Sequence, residues 1–225
     1  MNELLMILEV LVVFTLVLLC HKLFGKYGLI GWIGVASVLA EIQVIKSIDI
    51  FGISGTLGNV LFASNFLVTD ILTEVYGSDV AKKGVFFGVF SIIIFIIISQ
   101  FTILFIPNDI DTVNDALKQI FTISPRVCIS SLVMYLIANY IDVIIYDKLK
   151  KKDKDKRIWF RNNFSTIVCN SLENFFFVFF AFIGLYTFKD IMLIALSTTL
   201  IEIIIAFMDT PFLYIAKKTS KWCLF

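Results

Sequence analysis

Of the 225 residues, 59% are hydrophobic and 24 are phenylalanine, against a formal net charge of +1. A soluble domain carries about 45–50% apolar residues, so this composition belongs to a polytopic membrane protein. The basic residues sit in short stretches beside apolar runs and offer no nucleic-acid surface, and Cys20, Cys128, Cys169 and Cys223 show neither the pairing of a zinc site nor that of a disulfide framework.

The chain opens on MNELLMILEVLVVFTLVLLC. It lacks the basic start and small-residue cleavage site of a signal peptide and carries Glu3 instead, so it reads as a true transmembrane helix. A hydrocarbon core about 30 Å thick takes about 20 apolar residues of helix. Seven stretches meet that length approximately: 3–22, 28–48, 56–76, 82–106, 124–147, 163–186 and 190–216. Most are joined by tight turns, with longer loops expected at 106–125 and 147–163. The resulting fold class is an all-α bundle of seven transmembrane helices, a single membrane domain over 1–225.

Charge assigns the sides. The 147–163 loop is heavily basic, which puts it in the cytoplasm. Counting outward from it places the acidic 106–125 loop outside. It also gathers His21, Lys22 and Lys26, then Lys82 and Lys83, and finally Lys217, Lys218 and Lys221 on the cytoplasmic side. All four basic clusters share one side only with seven spans and an outside N-terminus.

Polar groups inside the spans carry the functional signal, since a charged side chain at mid-membrane costs roughly 2.5–3.5 kcal/mol or more. Span two holds Glu41, Gln43 and Lys46. In span three, Phe66, Asp70, Glu74 and Gly77 follow helical spacing and are expected on one face. Span five carries Ser131, Tyr135, Asn139, Asp142 and Tyr146 on one stripe; span six carries Thr166, Asn170, Glu173 and Phe177, with Asn174 adjacent; span seven adds Glu202 and Asp209. Such stripes must face one another and not lipid. Two acids one turn apart repel when ionised, so Asp70 and Glu74 call for a cation, a proton or a donor-rich ligand. Lys46 and Arg126 are the cations expected near them. Carboxylates, amides and the aromatic faces of Phe66, Tyr135 and Phe177 suit a planar nitrogen heterocycle with adjacent N–H donors, such as a guanine edge. A metal ion or another small polar solute is equally compatible with that composition.

KSIDIFG (46–52) with FLVTDILTEVYG (66–77), then PRVCISSLVMYLIANYIDVIIYDKLK (125–150) leading into WFRNNFSTIVCNSLENFFFVFFAFIG (159–184), resemble the queuosine precursor transporter family. The resemblance covers roughly 28–217, a six-helix core, and leaves 1–27 as an added N-terminal helix and turn. It implies uptake of queuine or another 7-deazaguanine, the aminomethyl or nitrile form, across a bacterial inner membrane, without a cofactor or metal and without catalytic residues. Lys46, Arg126, Asp142 and Asn170 fall on positions matching the family's polar pattern. The implied substrate site joins these to Asp70, Glu74, Tyr135, Asn139, Glu173, Phe66 and Glu41. Two positions depart from the pattern: an amide is usual at Glu41, and an aspartate at Glu173.

Two other arrangements use the same residues. One is a substrate-binding membrane subunit driven by a separate ATPase, since no GxxxxGK[ST] loop is present. The other is an intramembrane carboxylate enzyme, against which stands the absence of HExxH, GxSxG and any Cys–His pairing. Transporters of this size commonly work as dimers, and a homodimer is compatible with the sequence.

Overall fold

The computed structural model describes residues 1–50, 52–122, 125–153 and 156–220; the side chains of 47, 53–56, 125, 126 and 128 lie outside that description. The expectation for Arg126 therefore falls outside the described side chains.

The first helix, α1 (Asn2–Gln43), has 42 residues, about 63 Å if straight, twice the hydrocarbon thickness. It is not straight. Gly25 breaks it at φ 57° and ψ −140°, a conformation that a side chain would oppose. The two arms fold back on each other: Gln43 donates to Glu9 at 3.3 Å, and the Asn2 amide donates to the Asp49 carbonyl at 2.9 Å. The HKLFGKYG turn expected between the first two spans is therefore a bend within a single helical element.

A hairpin absent from the sequence expectation follows, β1 (Ser47–Ile50) paired antiparallel with β2 (Ile53–Thr56) in the register Ser47↔Thr56. Helix α2 (Asn59–Ile71) continues into a π-helical turn at Leu72–Tyr76. Then come α3 (Ser78–Leu104), the short α4 (Asn114–Phe121), α5 (Pro125–Asp153), α6 (Ile158–Phe182) and α7 (Phe188–Thr219). Five helices, α1, α3, α5, α6 and α7, are long and apolar enough to cross a membrane. The chain is a polytopic helical membrane protein.

Three boundaries differ from the hydropathy reading. The expected 106–125 loop holds α4, and span two ends at Gln43, which leaves Lys46 exposed in the turn before the hairpin. The expected 147–163 loop is mostly helix, because α5 runs to Asp153 and α6 starts at Ile158. Lysines Lys150–Lys152 close the C-terminus of α5, where they favourably oppose the helix dipole.

The core runs along the seam of α1, α2 and α3, with Val10, Phe14, Leu29, Ile33, Leu67, Ile71 and Val85 fully enclosed. Small residues bring α3 close: a Cβ on Gly84 would strike Ile33, and one on Gly88 would strike Tyr135 and Ile33. Outward-facing Leu8, Phe86, Phe90, Phe176 and Phe180 form the apolar exterior a lipid-facing surface requires.

Candidate functional site

Polar side chains collect in three places along the bundle. The first is a cavity of about 430 Å³, well within the ~300–1,000 Å³ of small-molecule sites. Its walls are the C-terminal end of α1, the N-terminal halves of α2, α5 and α7, and the C-terminal half of α6, so it occupies the end of the bundle next to the hairpin. Glu41, Asn59, Phe66, Asn170, Glu173 and Glu202 line it. Ser131 donates to Glu41 at 2.7 Å, and the Asn174 amide to Glu202 at 2.6 Å. Glu173 lies within electrostatic reach of Glu202 and Glu41. No lysine or arginine pairs with any of the three carboxylates among the described residues. The Nδ2 of Asn59 and the Oδ1 of Asn170 are buried without a protein partner among the described residues, and both belong to the cavity wall. Phe62, Phe66 and Phe177 supply flat apolar surface.

The second place lies deeper. Asp70 of α2, Asp142 of α5 and Asp209 of α7 are almost fully enclosed, and Asp70 is an electrostatic neighbour of both others. Asn162 of α6 donates to Asp209 at 2.6 Å and, with Asn163, to the hydroxyl of Thr210. This is the work of the R-N-N block: its two amides fasten α6 to α7.

The third place is the opposite end, around Glu74. Arg161 Nη2 reaches its two carboxylate oxygens at 2.8 and 2.7 Å, Lys217 Nζ reaches Oε1 at 2.6 Å, and the Tyr146 hydroxyl donates to Oε2 at 3.0 Å. Lys150 donates to the carbonyls of Thr73 and Glu74 at 3.1 and 2.7 Å. Arg161 also meets Asp153 at 2.9 Å and stacks over the Tyr146 ring. Its side chain is 0% exposed, the bulkiest wholly buried side chain among the described residues. Thr73 and Glu74 lie in the last turn before the break at Gly77, where main-chain carbonyls lack helical partners and are open to Lys150.

The structure thus distributes the sequence-derived set. It brings Glu41, Phe66, Asn170 and Glu173 to one cavity. Asp70 and Asp142 sit inward of it, and Glu74 is tied into the knot at the far end. Asp70 and Glu74, expected to share a ligand face, have different surroundings. Tyr135 and Asn139 form a packing junction: Asn65 donates to Ser37, Ser37 to the Tyr135 hydroxyl, and Asn139 to the Tyr135 carbonyl. Lys46 is on the surface. Cations at Glu74 are Arg161, Lys150 and Lys217, where the sequence reading had expected Lys46 and Arg126. Arg161 was missed because its charge placed it in a loop; the helical spacing of Ile158, Asn162 and Ser165 around it was the available signal. Among the described residues no three metal-ligating side chains are gathered into a metal site.

A family profile described as "Putative vitamin uptake transporter" matches residues 56–216. A protein of Bacillus subtilis (strain 168), named "Probable queuosine precursor transporter", is 37% identical over 206 residues, which is 91% of this chain and 90% of that protein. No solved structure matches.

Proposed function

We propose that this chain, which belongs to the vitamin uptake transporter family, imports a queuosine precursor across the cell membrane and binds it in the cavity beside the hairpin. The family is one of transporters and not of enzymes, and the chain is a multi-pass membrane protein. One observation carries the assignment of the site. A cavity of ligand size has an unpaired amide donor at Asn59, an unpaired amide acceptor at Asn170, carboxylates and phenylalanine faces. A 7-deazaguanine presents the complement: N–H donors for a carboxylate, a carbonyl for an amide N–H, and a flat ring.

In this reading the two arms of α1, the α2–π segment, α3, α5, α6 and α7 make seven passes, with 28–217 as the transport core. The N-terminus lies outside, in keeping with the positive-inside rule. The cavity then faces outward, Asp70, Asp142 and Asp209 stand along the route inward, and the Glu74 knot closes the cytoplasmic end. Asp70 carries a proton or bears on the passing base, since acids this close cannot all stay charged without a partner.

The test uses a bacterium unable to make queuosine and lacking its own transporter. Expression of this chain with an external 7-deazaguanine should restore queuosine in tRNA. Asp70→Asn should abolish restoration while the protein stays in the membrane. No restoration by wild type folded in the membrane would sink import by this chain alone, and full activity of Asp70→Asn would return that acid to a packing role.

A further inference from the structure

We infer that the cavity contains an ammonium subsite, formed by Glu173 of α6 and Glu202 of α7, which makes the protein selective for a base bearing a protonated amine over an uncharged one. The inference rests on the cavity being the substrate site.

A guanine-type edge offers one pair of adjacent N–H donors, and a single carboxylate accepts both. Three carboxylates line this cavity. Glu41 has the setting for the edge: Ser131 of α5 fixes one of its oxygens. Glu173 and Glu202 are then surplus. They are electrostatic neighbours on adjoining helices, and no cation of the described protein compensates them. Asn174 holds Glu202 in place by one hydrogen bond, which orients the group without neutralising it.

Unpartnered carboxylates lining a cavity take up a proton or meet a cation, and a ligand's ammonium brings both within reach. A bare metal ion fits poorly, because the three acids with their neighbours do not converge into a ligand cluster among the described residues. A ligand that spans the cavity and carries its charge on an arm fits better. Asn59 and Asn170 supply the unpaired donor and acceptor for the base, Phe66 and Phe177 the faces, and the two acids meet the arm. A primary alkyl amine is protonated at neutral pH, as lysine is. The aminomethyl 7-deazaguanine has such an arm; the nitrile form keeps the ring and loses the charge.

The experiment is direct binding of both bases to the purified full chain in lipid nanodiscs, by calorimetry at pH 7. The aminomethyl base should bind at least about tenfold tighter than the nitrile, the ratio expected when a desolvated charge pair contributes its lower measured range. Glu173→Gln and Glu202→Gln should each shrink the ratio of the two affinities at least about threefold, because the aminomethyl base loses more than the nitrile does. Equal binding of the two bases to wild type would overturn the inference and leave the transport reading intact, as would an unchanged ratio in both variants. Failure of wild type to bind either base would overturn both. The wild-type ratio decides the matter even where a variant fails to fold.

Discussion

Two groups of buried carboxylates stand at opposite ends of the same helices and are balanced in opposite ways. Glu74 has Arg161, Lys217, Lys150 and Tyr146 gathered round it, contributed by α5, α6 and α7. Glu41, Glu173 and Glu202 have a serine, an asparagine and open space. Both groups bear the cost of leaving water, but only the first recovers it within the protein. The Glu74 contacts tie α5, α6 and α7 to the end of the α2 segment, whereas the three cavity acids have no cation paired with them among the described residues. Proximity of acid to membrane interior does not by itself distinguish the two; the partners do.

The contrast is open to attack by mutation. The largest effect should come from Arg161→Ala, which removes the guanidinium shared by Glu74 and Asp153; a loss of about 3 kcal/mol is expected, the low end for breaking a buried pair because two lysines remain at Glu74. The thermal midpoint of the purified protein reads it, and an unchanged midpoint would mean that the knot is not structural. Next, Glu74→Gln should cut uptake about tenfold or more while ligand affinity stays within about threefold, because the change lies at the end away from the cavity. A parallel loss of affinity would put Glu74 back at the ligand. Ser131→Ala removes the donor that fixes Glu41 and should weaken binding by about 1 kcal/mol, read by calorimetry. Smallest of all, Lys46→Ala should leave uptake within about twofold. A large loss there would revive the cation that the sequence had nominated.

Much of this architecture was legible in the residues. Runs of Ile, Leu, Val and Phe mark the helices, and the glycine in HKLFGKYG marks the reversal that Gly25 makes. The polar residues of spans two and six include Glu41, Asn170 and Glu173, and all three line the cavity. What stayed hidden has physical causes. Hydropathy treats a charge as a loop, so Arg161 could not announce that Glu74 would neutralise it. Ideal helical spacing puts Asp70 and Glu74 on one face, and they are electrostatic neighbours, but the cations that pair with Glu74 come from α6 and α7, distant in sequence. The hairpin at 47–56 falls almost wholly in the short connection expected between spans 28–48 and 56–76, where hydropathy carries no signal for strand pairing.

Biosynthesis meets the Glu74 knot from another direction. Glu74 leaves the ribosome 87 residues ahead of Arg161, an interval of roughly 4–17 s at ordinary elongation rates, and Lys217 follows later still. During that time the acid has no guanidinium to meet. It must wait protonated, or at the aqueous edge of the bilayer, until α6 arrives. Since Lys217 lies in α7, the end of the bundle around Glu74 locks only once that helix has been made. The contacts around Glu74 therefore form in the order in which α5, α6 and α7 are made.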